Sequence, residues 1–247
     1  SGVDDGVGTV MATLKAHGLD ENTVVIFLAD QGWVGGHGGY FGMGDHTRPV
    51  TARDGMMKIP MIWRQPGRIA AGQRSEKLVG NYDVMPTLLS HLSLSNVKNP
   101  QEPTSPGKSF EAEMRAATAA AENAAPAKDE AVFYEFESLR CIRTNEWKYT
   151  HRYPNGPHEL YDLQHDPDEF DNLHNNDQHT QTRDDLKKRL DAFYAKHALP
   201  KYDLWAGGGS QTFIYDGIEE ELAQADTIEP PPLPAGFKPQ QFALPDG

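Results

Sequence analysis

Thr23-Val24-Val25-Ile26-Phe27-Leu28-Ala29-Asp30-Gln31-Gly32 is the stretch on which the fold turns. Val24 to Ala29 run apolar without alternation, and the run stops abruptly at an acid, an amide and a glycine. A strand buried on both faces reads this way, and such strands belong to parallel sheets covered by helices. The polar turn then falls at the carboxyl end of the strand, where α/β folds hold their ligands. Asp30 and Gln31 offer two hard oxygen donors there, which suit Ca²⁺ or Mg²⁺ better than a soft metal. A polar turn that merely caps a strand fits the same spacing.

Upstream, Val7, Val10, Met11 and Leu14 fall at i, i+3, i+4 and i+7 and predict one apolar face of a helix. Asp4 and Asp5 suit its N-terminus and Gly18 the left-handed position just past its end. Downstream, Gly32 to Gly44 is too rich in glycine for a helix or strand, and its aromatic residues argue for a shaped loop. Ile59 to Arg64 predicts a second short strand, turned by Gln65-Pro66-Gly67. Asn81 to Leu92 predicts a helix with Pro86 in its first turn, where proline is tolerated. Asp83, which opens it, reads as a capping or first-turn charge.

The composition changes near Ser93. Residues 93–107 read as a loop, 109–125 as an Ala- and Glu-rich surface helix, and 126–129 as a boundary. Ala131 to Tyr134, Leu139 to Thr144 and Trp147 to Arg152 then predict an antiparallel meander. Thr182 to His197 predicts an amphipathic helix with Leu186, Leu190, Phe193 and Tyr194 aligned. Trp147, Tyr149 and Tyr161 sit in β-like pieces and are expected to pack the small sheet against that helix, with sugar stacking as the alternative role. Residues 205–247, with Gly-Gly-Gly and Pro-Pro-Pro runs, read as an extended tail.

Hydrophobic residues make up 38% of the 247, enough for a core with much loop and surface around it. The net charge of −13 argues against nucleic acid or an anionic membrane as a partner, because the overall field repels phosphate. No apolar run approaches the ~20 residues that span a bilayer. A single cysteine, Cys141, excludes an intramolecular disulfide and reads as a buried structural thiol. An anionic substrate therefore needs a local cationic cluster. His37, His46, Arg48, Arg53, Lys58 and Arg64 form one in the residues after Asp30.

The order and spacing of several pieces resemble the sulfatase family of the alkaline-phosphatase-like superfamily. These are Val3 to Gly8, Thr23 to Gly32, His37-Gly38, Lys58 to Ile62, Pro66 to Ile69, Ala71-Gly72 and Asp83 to Leu89. Arg140 to Thr144, Trp147 to Tyr149, Glu159 to Leu163 and Asp166-Pro167 resemble the family's C-terminal subdomain, so the likeness covers roughly residues 3 to 197. The resemblance implies a divalent metal, usually Ca²⁺ with Mg²⁺ as the variant, held by four oxygen-bearing side chains. Asp30 and Gln31 match the second pair, although the family more often has Asn or His after this aspartate. Nothing in the chain matches the first pair. No lysine occupies the family's sulfate-binding position before Arg53-Asp54-Gly55, which leaves His46 and Arg48 as replacements for contact with sulfate or the leaving oxygen. His37 and Arg53 are candidates for substrate binding.

Sulfatases attack with a formylglycine made from Cys or Ser in a Cys/Ser-x-Pro-x-Arg motif, and the motif is absent from these residues. Formylglycine and the first metal aspartates are thus expected in an N-terminal segment that would partner this chain, with any export signal to a periplasmic, extracellular or lysosomal compartment upstream. The expected fold is the C-terminal part of an α/β/α sandwich over 1–127, then a small α+β subdomain with an antiparallel sheet over 128–200, then a tail over 201–247. The expected parent activity is hydrolysis of a sulfate ester on a small molecule or glycan. A phosphodiesterase or phosphonate hydrolase of the same superfamily, a non-catalytic paralogue or binding module, and one piece of a split enzyme are the alternatives. Alone, the chain is expected to bind Ca²⁺ weakly, to turn over no sulfate ester and to self-associate through exposed apolar sheet edges.

Overall fold

The computed structural model describes residues 2–44, 47, 49–94, 105–115, 130–136, 138–203 and 205. The chain begins with α1 (Gly2–Ala16), which carries Asp4 and Asp5 in its first turn and ends at Gly18 in the left-handed region (φ 65°). β1 (Val25–Leu28) and β4 (Met61–Arg64) follow as a two-stranded antiparallel pair, with Val25 opposite Arg64 and Leu28 opposite Met61. Here the expectation of a parallel strand buried on both faces is corrected. Val25, Ile26 and Phe27 are half-buried and Leu28 is exposed, because one flat apolar ribbon gains full burial only when layers cover both its faces. Apolarity recorded the strand but not the direction of its neighbour.

The glycine-rich stretch between them is a loop with a small hairpin inside it, formed by β2 (Val34–Gly35) and β3 (Phe41–Gly42) around a turn at His37–Gly39. The short helix α2 (Asp54–Met57) precedes β4. A turn at Asn81–Asp83 leads into α3 (Val84–His91), with Pro86 in the first turn as expected. Asp83 is buried and accepts hydrogen bonds from Gly80 N (2.8 Å) and Lys108 N (2.7 Å), so it caps the turn and staples the distant 105–110 segment to it. Of the expected helix at 109–125, α4 (Glu111–Arg115) is described and the remainder lies outside the described residues, as do 95–104 and 126–129.

The meander is present and has a fourth strand beyond the three expected. β5 (Ala131–Phe136), β6 (Leu139–Thr144), β7 (Trp147–Arg152) and β8 (Glu159–Asp162) pair antiparallel in that order. The registers Phe133–Ile142–Tyr149–Leu160 and Tyr134–Cys141–Thr150–Glu159 define its two faces. The first face buries Ile142, Tyr149 and Leu160 against Leu186, Leu190 and Tyr194 of α5 (Thr180–His197). The second face points the other way and carries Leu139, Cys141 and Tyr134 against Val50 and Ala52. Tyr161 belongs to this second face. It does not join Trp147 and Tyr149 in packing on the helix, because its neighbours Leu160 and Asp162 alternate with it across the sheet. Cys141 is fully buried, and burial pushes its thiol up to about 12, which makes it inert. Of the expected tail, Trp205 is described, and it packs on His151 and over the Arg140 guanidinium. Residues 206–247 lie outside the described residues.

Candidate functional site

Asp30 and Gln31 form the turn that ends β1. The carboxylate of Asp30 is exposed and its Oδ1 accepts the Gln31 N–H at 2.9 Å, while the Gln31 amide nitrogen contacts the Met43 sulfur. Among the described residues, neither Asp30 Oδ2 nor Gln31 Oε1 accepts a hydrogen bond. Two hard oxygens therefore stay open at the strand end, a donor type that fits a Ca²⁺-like ion as part of its usual six to eight ligands. Among the described residues, no three His, Cys, Asp or Glu side chains gather to hold a metal ion by themselves.

The turn is seated on α2 by backbone contacts. Gly32 N donates to Met56 O at 2.7 Å, and a Cβ at Gly32 would lie 2.5 Å from Gly55 O and 2.9 Å from Met56 C. Only glycine permits that approach. α2 thus acts as the platform for the candidate metal turn.

His37 and Arg53 share a cleft of about 230 Å³ with Asp54, Gly55 and Met56 of α2 and with Asp168 and Glu169. His37 Nε2 lies 3.2 Å from Asp168 Oδ1, with both side chains more than half exposed. Arg53 is tied down: Nη1 donates to the Glu169 carbonyl, Nη2 lies 3.2 Å from Tyr161 Oη, and the guanidinium lies 4.8 Å from the Tyr40 ring centroid. Asp30 instead lines a larger groove of about 760 Å³ with Lys58, Asn81, Tyr134 and Arg143, walled by β5 of the small sheet. Lys58 edges both spaces. His37 and Arg53 are brought together in the smaller cleft, and Asp30 and Gln31 are brought together in the turn at the end of β1. His46 and Arg48 lie outside the described residues.

Sequence reasoning missed an ionic cluster beneath the platform. Lys148 of β7, 1% exposed, contacts Asp54 Oδ1 and lies 2.7 Å from Glu169 Oε1 and 2.9 Å from Ala52 O. Arg143 Nη2 lies 3.2 Å from Asp54 Oδ2, and Asp54 N donates to Glu169 Oε2 at 2.6 Å. Burial pushes the Asp54 carboxyl up, but the Lys148 and Arg143 cations outweigh it and hold the group below the usual carboxylate range. At Glu169 burial prevails over the same lysine and raises the carboxyl. Burial opposes the charge on Lys148, yet the two carboxylates raise its pKa and keep it protonated. The signal available in the sequence was the polar alternation Lys148, Thr150, Arg152, which ordinarily marks a solvated face.

The family model for the C-terminal part of N-sulphoglucosamine sulphohydrolase matches residues 50–196, and the sulfatase family model matches residues 1–94. Mouse (Mus musculus) N-acetylgalactosamine-6-sulfatase is 36% identical over 107 residues, which is 40% of this chain and 19% of that protein. A structure solved with its substrate D-glucosamine-2-N,6-O-disulfate superposes with a TM-score of 0.63 at 24% identity, covering 79% of this chain and 38% of the other. The phosphonate monoester hydrolase of Agrobacterium radiobacter superposes with a TM-score of 0.62 at 24% identity, covering 79% and 39%. The chain spans under half the length of the curated relatives it matches.

Proposed function

The chain belongs to the sulfatase family, with the fold of the C-terminal part of an alkaline-phosphatase-like α/β sandwich, and on that premise we propose that the protein carrying it hydrolyses a sulfate ester on a carbohydrate. The observation that supports this most directly is the exposed Asp30–Gln31 turn, which opens onto a groove edged by Lys58 and Arg143. A metal-binding carboxylate beside cations is the arrangement that a sulfate group, carrying one negative charge as an ester, requires. The relatives named for 6-sulfated amino sugars point to a sulfated hexosamine as the substrate class.

In this reading Asp30 and Gln31 supply two oxygens to a Ca²⁺ ion. When bound, such an ion draws electron density from the sulfate oxygens and makes the sulfur more open to attack. Lys58, at the edge of the groove, offsets charge on the sulfate or on the leaving oxygen. His37 and Arg53 contact a more distant part of the substrate from their own cleft, with Arg53 held in one orientation by Tyr161 and Glu169. Hydrolysis breaks the S–O bond, the sugar oxygen takes a proton and leaves as the alcohol, and water supplies the oxygen of the released sulfate.

The likeness to the phosphonate monoester hydrolase supports a second reading, hydrolysis of a phosphonate ester on the same scaffold. Both readings are tested by assaying the protein that carries this chain on 6-O-sulfated N-acetylhexosamines and on a phosphonate monoester, with and without Ca²⁺. Release of sulfate that falls about 100-fold or more in Asp30→Ala is expected. Faster turnover of the phosphonate monoester would favour the second reading, and undiminished turnover in Asp30→Ala would remove Asp30 from the site.

A further inference from the structure

The Asp30–Gln31 turn, through Gly32, and the buried cluster around Lys148 are both attached to α2, a helix of only four residues. Isolated, so short a helix has no stability of its own. Its position is imposed by what it touches. It is held by the cluster: Lys148 contacts both Ala52 O and Asp54 Oδ1, and Glu169 Oε2 accepts the Asp54 N–H. It in turn holds Gly32 through the Met56 carbonyl, with backbone approaching backbone.

Glu169 is itself set with care. It is 2% exposed and adopts φ 60°, in the left-handed region that a non-glycine residue occupies only where its surroundings over-determine it. The Asp166 carboxylate does so by accepting from Phe170 N (3.0 Å) and Asp171 N (2.8 Å). Two carboxylates and two cations are buried together here, at a sheet face that apolar side chains could have filled. Burying charge in this way gains little net stability over an apolar filling, so the return is fixed geometry.

We propose that Lys148 is a positioning residue that, through Asp54, Glu169 and α2, sets the Asp30–Gln31 turn in register for its cation. The small sheet then acts on the turn through α2. This inference rests on reading Asp30 and Gln31 as cation donors, and its test separates the two claims.

The test compares Lys148→Met, Glu169→Gln and Asp30→Ala in the protein that carries this chain. Ca²⁺ affinity is read by calorimetric titration with CaCl₂, and local order by hydrogen exchange of the Gly32 amide. Lys148→Met is expected to weaken Ca²⁺ binding about 10-fold or more, the size seen when groups behind metal ligands are lost. It should also speed Gly32 exchange while the Ile142 and Tyr149 amides keep their protection. Glu169→Gln, which preserves shape and removes one charge, should move both readings the same way by less, and it decides the matter if Lys148→Met does not fold. A folded variant with Ca²⁺ affinity and Gly32 exchange both unchanged overturns the proposal. If Asp30→Ala leaves Ca²⁺ affinity unaltered, the donor assignment fails, and Gly32 exchange alone still shows whether Lys148 holds the turn.

Discussion

The small sheet and the first helix are both amphipathic in sequence, yet they meet opposite fates. The sheet is covered twice, by the apolar side of α5 on one face and by the ion-bearing 50–57 segment on the other. Helix α1 presents Val3 (65% exposed), Val7 and Val10 (55% exposed) to the surface, and none of its residues is buried. Leu28 and Ile62 of the β1–β4 pair are exposed as well. Periodicity thus reports which face of an element is apolar, whereas burial depends on a second element arriving to cover it. Stability should be distributed in the same unequal way.

The widest gap is expected between Leu190→Ala and Leu28→Ala. Leu190, 1% exposed, touches a cluster built from Ile142, Tyr149, Leu160, Leu186 and Tyr194. Its truncation leaves a cavity and should cost about 2–5 kcal/mol in a urea titration. Leu28 is partly solvated already, so the same truncation there should cost about 1 kcal/mol or less. Equal losses would mean that the β1–β4 pair is packed as tightly as the small sheet.

The same contrast explains what could be read from the sequence. β6, β7 and α5 were legible because alternation and helical spacing are local, and each element's own partner confirms its pattern. The antiparallel pairing of β1 with β4 was not, since an apolar run carries no sign of strand direction. β8 was legible only as the β-like piece around Tyr161 and not as a member of the meander: four residues, Glu159–Asp162, are too few for alternation to stand out. At the candidate site, Asp30 could be named from its place after a strand. Lys148 and Glu169 could not, because 115 residues separate Asp54 from Glu169, and only the folded chain brings both carboxylates to one lysine. A lysine on a strand reads as solvated until its partners are known.

An intermediate effect should come from acid, and three imidazoles of the small subdomain contribute to it. His151 stacks on His158 at 3.9 Å, His158 lies 5.1 Å from His174, and Tyr149 Oη bonds His151 Nδ1 at 2.6 Å. Lys187, Arg183 and Asp191 of α5 and Arg152 of β7 are the charges that act on the group. Burial, followed by the neighbouring imidazole of His158 and by Lys187, pushes His151 down to about 4, and burial lowers His158 and His174 too. The unfolded chain takes up these protons near pH 6.5 and the folded one resists them, so stability is full above that pH and drains away as pH falls. For His151 the window runs from about 6.5 down to about 4. Melting temperature should be level above pH 7 and should fall below 6.5. His151→Phe should make the decline shallower. Asp54, held below the carboxylate range, adds its own loss only at still lower pH. A level profile from pH 7 to 4.5, or an unchanged slope in His151→Phe, would show that the imidazoles are not sheltered.

The smallest effect is expected on α1. Replacing Val10 by Ala exchanges a β-branched residue for the best helix former on a face that is already 55% exposed at that position. The lost apolar contact and the gained propensity nearly cancel, so stability should change by about 0.5 kcal/mol or less. Gly6 and Gly8, one turn earlier, already weaken the helix, so its ends should fray and its amides exchange early. Val10→Ala therefore asks whether the stripe is as open in solution as its exposure implies. A loss of about 2 kcal/mol or more, the size of a buried valine, would mean that the stripe packs against an apolar surface in solution. In that case α1 and the small sheet would differ in which surface covers them, and no longer in whether they are covered.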